Sequence, residues 1–206
     1  MPCLRKDHLI SRAFSSGLNR ARRETVSDPS KRRRRSIRLQ GYDYSRSGLY
    51  FVTICTKGRV TFFEDARVKT IAETCWQEIT DHFTGVTLDE SVIMPNHVHG
   101  IVSLHGRDTA CRVPTGRIGT FGPLPPGSLP AIVGAFKSAS TRLIRQLGIE
   151  GFAWQPRYYE HVVRNDASLN RIRQYIRDNP ARWAFDRDNP DGRPDATENE
   201  FWRGLG

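Results

Sequence analysis

The sequence predicts one α+β domain, an antiparallel sheet with helices on one face. Three observations predict it. A chain of 206 residues suits a single domain with extensions and is short for two. Its apolar pattern alternates between the two-residue period of strands and the longer period of amphipathic helices. The elements follow one another as β-α-β-β-α-β-α, the split βαβ order of ferredoxin-like and RRM-like sheets.

Each element has its own signal. The run "LYFVTICT" (Leu49 to Thr56) is β-branched and aromatic, and reads as a strand. Val68, Ile71, Ala72, Cys75, Ile79 and Phe83 recur at helical spacing and predict one amphipathic helix over residues 66–83. "VTLDESVIMP" (Val86 to Pro95) and "HVHGIVSL" (His97 to Leu104) read as strands, and Pro95-Asn96 between them as the turn of a hairpin. Residues 106–129, rich in Gly, Pro and Arg, predict a long mobile loop. A second helix is expected over Ala131 to Gly148, with Ile132, Val133, Phe136, Leu143, Ile144 and Leu147 as its apolar stripe. "QPRYYEHVVR" (Gln155 to Arg164) reads as a fourth strand. "DASLNRIRQYIRDNP" (Asp166 to Pro180) reads as a third helix, capped by Asp166 or Ser168 and ended at Asn179-Pro180. The domain is thus expected over 41–185, with 186–206 as a loosely packed acidic tail.

Charge is distributed unevenly. The formal net charge is +10. Residues 1–40 carry 12 Lys and Arg against 3 Asp and Glu, and the rest carry 20 against 19. Residues 1–40 are therefore expected to be a disordered basic arm, densest at Lys31, Arg32, Arg33, Arg34, Arg35 and Arg38, suited to phosphate backbones. The same stretch, Arg- and Ser-rich and poor in acids, also has the composition of an organelle transit peptide, but it lacks an uninterrupted apolar segment of secretory type. No apolar run reaches the roughly 20 residues a membrane-spanning helix needs. Cys3, Cys55, Cys75 and Cys111 are scattered and form no C-x-x-C pair, which suits reduced thiols and a cytoplasmic, nucleoid-associated protein.

Two pairs of residues can carry chemistry. His97 and His99 alternate within a strand and project from the same face, a half-site for a divalent ion or else two histidines paired at a sheet end. For a bare H-x-H the second reading is the commoner one; the apolar flank "HGIV" strengthens the first, since burying two unpartnered imidazoles is unfavourable. Tyr175 and Asn179, four apart on a helix, lie about 40° apart on one face. Asn179 offers an oxygen for a hard cation and Tyr175 a hydroxyl that can attack phosphorus. Equally, Tyr175 can edge the core beside Ile172 and Ile176 while Asn179 ends the helix.

Five blocks in order, "RRSIRLQGYDYSRSGLYFVTICT", "VIMPNHVHGIV", "LPAIVGAFKSASTRLI", "WQPRYYEHVVRN" and "LNRIRQYIRDNPARW", resemble the REP-associated tyrosine transposases of bacteria, a branch of the HUH-type single-tyrosine transposases. The resemblance runs from about Arg34 to Trp183. It implies a ferredoxin-like nuclease domain acting on single-stranded or hairpin DNA. The family's paired histidines fall on His97 and His99, its catalytic tyrosine on Tyr175, and its third metal ligand on Asn179, where relatives often carry Gln. The implied chemistry uses Mg²⁺ or Mn²⁺ to polarise the scissile phosphate. Tyr175 attacks as a covalent nucleophile, leaving a 5′-phosphotyrosine and a free 3′-hydroxyl, and strand transfer then needs no ATP. Tyr158 and Tyr159 are competing tyrosines on the predicted fourth strand, where one must face away from any given surface.

DNA contacts are expected from the basic arm, from Tyr42 and Tyr44, and from Lys137, Arg142 and Arg145 on the second helix, with cations on phosphates and aromatic rings on unpaired bases. The resemblance implies hairpins of repeated extragenic palindromes as ligands, and a monomer or a homodimer. Two other readings fit the same residues: a nucleic-acid binding module without catalysis, and a metal-dependent phosphoesterase that uses water.

Overall fold

The structure is a computed structural model that describes residues 42–105 and 127–205. The basic arm over 1–40, with Lys31, Arg32, Arg33, Arg34, Arg35 and Arg38, lies outside the described residues. So does 106–126 of the expected loop, while Leu129 already opens a helix.

Four strands form one sheet: β1 (Gly48–Cys55), β2 (Val86–Met94), β3 (His97–Leu104) and β4 (Tyr159–Val163). Their order is β2-β3-β1-β4, with every pairing antiparallel. β2 and β3 form the expected hairpin across Pro95-Asn96. The helices are α1 (Ala66–Gln77), α2 (Ile79–His82), α3 (Leu129–Gln146), α4 (Asp166–Asp178) and α5 (Ala196–Arg203). The single helix expected over 66–83 breaks after Gln77, and its last turn is α2. Among the described residues no helix is long and apolar enough to cross a membrane.

The strand period sorts the core onto two faces. Tyr50, Val52 and Ile54 of β1 join α1 and α3 in the larger cluster, with Val98 and Val102 of β3. Phe51 of β1 and Ile101 of β3 point the other way, against Leu169, Ile172 and Ile176 of α4. The ferredoxin-like pair α1 and α3 thus covers one face, and α4 covers the opposite one. Gly100 of β3 is needed for the first packing, because a Cβ there would lie 2.2 Å from the Trp76 ring.

Two local features hold α4 in place. Its cap is Asn165 rather than Asp166 or Ser168: the Asn165 side chain accepts from the Ser168 N–H. The β2–β3 pairing shifts register between Leu88 and Ser91, and the irregular residues Asp89 and Glu90 meet α4. Arg173 holds the Asp89 carboxylate through two bonds of 2.9 and 2.6 Å, and Arg177 pairs with Glu90. Such forked pairs fix orientation more than they add stability.

Residues 186–205, expected as part of a loosely packed tail, are packed onto the domain. Asp186 and Asp188 are buried, α5 follows, and Phe201 and Leu205 complete the apolar cluster on α4. The physical reason is the uncovered surface that α4 and the sheet leave around Phe51, which the α5 aromatics fill.

Candidate active site

β3 is flanked by β1 and β2, so its side chains are boxed in on both sides. In register, His97 lies opposite Cys55 and Met94, and His99 opposite Thr53 and Val92. Both imidazoles project to the α4 face, and both are fully buried. Their Nε2 atoms are 3.0 Å apart.

Buried partners orient them. Asn96 donates its amide N–H to the carbonyls of Arg59 (3.1 Å) and Asp188 (2.8 Å), which leaves its Oδ1 to accept from His97 Nδ1 at 2.8 Å. The Nδ1 of His97 therefore carries the proton, and Nε2 presents its lone pair. Thr53 Oγ1 lies 2.9 Å from His99 Nδ1 and holds the second ring the same way round. Burial pushes His97 down to about 4 and His99 well below its ordinary value, His97 being the next cause there. Both rings are neutral at pH 7, the form that binds metals.

The third group is Asp186, just past the 3₁₀ turn Asn179–Phe185 that ends α4. Its Oδ2 is 3.6 Å from His97 Nε2 and 4.0 Å from His99 Nε2. Donors cis to one another on an ion with bonds of about 2.1 Å lie about 3 Å apart, so these three atoms need close by only a small amount to share a cation. Asp186 Oδ1 accepts from the Asp188 N–H at 2.6 Å. Burial raises the Asp186 carboxyl above its usual range, a desolvation that a cation would relieve. His97, His99 and Asp186 can hold a metal ion.

Asn179 is brought to the same place. It is buried, and its amide nitrogen donates to Asp186 Oδ2 at 2.9 Å. Its Oδ1 is buried without a hydrogen-bond partner among the described residues, a state that a cation or substrate group would correct. Asn179 Oδ1 thus lies ready as a fourth oxygen or nitrogen donor beside the two neutral imidazoles and the carboxylate.

Tyr175 lies beside this centre, with ring centroid 5.3 Å from that of His99. Its hydroxyl donates to Glu198 Oε1 at 3.1 Å, and its ring stacks on Phe201 at 3.6 Å. Burial, then the nearby Asp186 and Glu198 carboxylates, push the phenol well above its ordinary value. Glu198 also accepts from Trp202 Nε1 at 2.7 Å, and Trp202 packs near His99. α5 thus packs over both the nucleophile candidate and His99. Tyr158 packs toward the larger core and Tyr159 toward the face of Phe51 and Tyr175.

Of the expected DNA residues, those that the structure describes are placed elsewhere. Tyr42 and Tyr44 pack on each other, centroids 4.9 Å apart, at the margin of the larger core. Lys137 donates to the Gln155 carbonyl at 2.8 Å, and Arg145 donates to that of Phe152. These two cations tie α3 to the segment before β4, while Arg142 lines a shallow hollow beside them.

Asp186, Glu198, Phe201 and Trp202 escaped the sequence reading. A signal existed for α5: Asp195 and Glu198 stand three apart, and Asp195 caps the helix by accepting from the Glu198 N–H. Nothing local marks Asp186 as buried, since "DRDNPDG" reads as a turn.

Fold and site together define an α+β protein of ferredoxin-like class whose central strand presents paired histidines to a tyrosine-bearing helix. No family model matches the chain. An uncharacterized protein of Haemophilus influenzae is 35% identical over 164 residues, covering 74% of this chain and 91% of its own. A second protein of that organism, named as a REP-associated tyrosine transposase, is 25% identical over 143 residues, covering 69% of this chain and 76% of its own. A solved REP-associated tyrosine transposase bound to a REP hairpin superposes with a TM-score of 0.52 at 19% identity, covering 82% of this chain and 87% of that one, and shares the fold. In sequence the chain is thus similar to a REP-associated tyrosine transposase, and in structure it shares the fold of one.

Proposed function

We propose that this chain is a metal-dependent endonuclease and strand transferase for single-stranded DNA, cutting at palindromic hairpins with Tyr175 as nucleophile. The observation that carries the reading is the convergence of His97, His99 and Asp186 within about 4 Å, directly against the Tyr175 ring. The similarity to REP-associated tyrosine transposases supports a transposase-like DNA-binding role, and the hairpin substrate is carried over from the solved relative.

His97, His99 and Asp186 would hold Mg²⁺ or Mn²⁺, with Asn179 Oδ1 as a further donor. Bound there, the ion supplies Lewis-acid polarisation of a phosphate oxygen. Asn96 and Thr53 keep both Nε2 atoms turned inward. Tyr175 Oη forms the bond to phosphorus, the P–O3′ bond breaks, and the phenolic proton is given up as the departing oxygen becomes a 3′-hydroxyl. One phosphate ester replaces another, so a second hydroxyl can reverse the step without ATP. The site residues all come from one chain, so a monomer carries a complete site. Because the histidines are fully buried and Tyr175 lies under Phe201, a phosphate reaches them only when α5 shifts.

That closure favours a second reading, a DNA-binding module that no longer cuts. The test is a denaturing gel of labelled hairpin DNA incubated with the full chain and Mn²⁺, beside Tyr175→Phe and His97→Ala. A covalent band that needs the metal and is lost in both variants supports the first reading. Cleavage that survives Tyr175→Phe assigns the nucleophile to water. Binding without any cleavage supports the module.

A further inference from the structure

We propose that Arg59 is a positioning residue for the candidate metal site, fixing the turn that carries Asp186 against the histidine pair. The inference rests on the metal-site reading and adds what keeps that site assembled. His97 and Asp186 are 89 residues apart in the chain, so their approach depends on contacts between loops. Arg59 ends the 3₁₀ turn Lys57–Arg59 that follows β1, and it reaches both loops at once.

Its side chain holds the Asp186 turn. Nη2 lies 2.7 Å from Asp188 Oδ1, and Nη1 donates to the Arg187 carbonyl at 3.2 Å. The Asp188 N–H donates to Asp186 Oδ1 at 2.6 Å, so Asp188 links the guanidinium to the carboxylate at the histidines. The main chain of Arg59 holds the other half. Its carbonyl accepts from the amide of Asn96, whose Oδ1 orients His97. The same Asn96 nitrogen donates to the Asp188 carbonyl at 2.8 Å and closes the circuit.

The backbone marks the residue too. Among the described residues Arg59 is the one non-glycine with positive φ, at 57°, directly after Gly58 at 69°. A bulky residue stays in the left-handed region only where its surroundings hold it. The Asp188 carboxylate is all but buried, at 8% exposure, and without its cation it is driven to turn toward water. A second anchor of this turn is the Arg187 N–H, which donates to Glu198 of α5 at 3.2 Å. A phosphate is admitted only when α5 shifts, and that anchor then moves away. Arg59 follows a strand of the sheet and stays behind, holding Asp186 at the histidines in the open site.

Titration of the full chain with Mn²⁺, without DNA and followed by the EPR signal of the free ion, tests this. Positioning and simple charge predict opposite signs. Burial first, and the Arg59 charge after it, keep a proton off His97. By charge alone, then, removing the guanidinium should tighten the binding of a dication. Positioning predicts the reverse: Arg59→Met should weaken Mn²⁺ binding roughly tenfold. Arg59→Lys, which keeps a cation on Asp188, should restore the affinity to within about threefold. Arg59→Met combined with Asp188→Asn should bind within about twofold of the weaker single variant, because both break one link. Arg59→Gly suits the positive φ and serves as the truncation if Arg59→Met does not fold, with the same result expected. Unchanged or tighter binding in a folded truncation, or fully additive losses in the double variant, overturns the proposal. If the unaltered chain binds Mn²⁺ and the truncations bind it equally well, the role of Arg59 alone fails. If the unaltered chain binds no Mn²⁺, the metal-site reading fails with it.

Discussion

The rings of Tyr175 and Phe201 stack at 3.6 Å between centroids and 4° from parallel. The stack closes the candidate active site with an element of the same chain. Phe201→Ala should therefore separate stability from activity. It removes a buried ring and should destabilise the fold by about 3 kcal/mol. It should also raise the rate of covalent adduct formation several-fold, because Tyr175 is uncovered. Thermal unfolding and a single-turnover gel assay check the two effects. A variant that loses stability and adduct rate together would show that α5 supports the chemistry.

The proposed third ligand, Asp186, is separable from its neighbour Asn179. Asp186→Asn removes the carboxylate that, among the described residues, reaches both histidines, and should weaken Mn²⁺ binding by more than about 100-fold, as measured by calorimetric titration. Asn179→Ala should weaken it less, by roughly 10-fold, through loss of Oδ1 and of the bond that holds Asp186. The reverse order of effects would make Asn179 the principal ligand and Asp186 its support.

In the proposed metal site Asn96 acts through His97. Asn96→Ala should cost roughly 10–100-fold in Mn²⁺ affinity although residue 96 would touch no ion, since the His97 tautomer is no longer fixed. Thr53→Val should act in the same direction through His99, and the double variant is read against the two singles. Unchanged metal affinity in Asn96→Ala would contradict the tautomer argument.

The histidines also predict how stability follows pH. His97 has its ordinary 6.5 in the unfolded chain and about 4 in the fold, so between these values the unfolded state binds the extra proton. Metal-free stability should thus be full above pH 6.5 and fall as pH drops toward 4, by up to about 1.4 kcal/mol per pH unit for each histidine. Asp186, raised by burial, works the opposite way, because its folded form takes up a proton first. Asp186→Asn should therefore steepen the loss. Urea titrations at pH 7 and pH 5 in EDTA measure it, and equal stability at both would argue against neutral buried imidazoles.

The sequence was most legible where periodicity speaks. The His97–His99 alternation placed both rings on one face, the β2–β3 hairpin was legible at Pro95-Asn96, and α4 carried Tyr175 and Asn179 to that same face. Its limits were equally physical. Asp186 lies 89 residues from His97 in a turn without period, and burial of one carboxylate leaves no local trace. The tail was misread because its charged composition hides Phe201, Trp202 and Leu205, three apolar residues that suffice to seat a two-turn helix. The α4 cap was misassigned by one residue because Asn165 and Asp166 are equally good caps by composition.

The most direct test of the central claim is to locate the covalent bond. The full chain is incubated with hairpin DNA and Mn²⁺, digested with protease and nuclease, and the peptides are sequenced by mass spectrometry. The expected result is a nucleotide mass on Tyr175 that disappears without metal. A nucleotide on Tyr158 or Tyr159, or nicked DNA with every tyrosine unmodified, would contradict it.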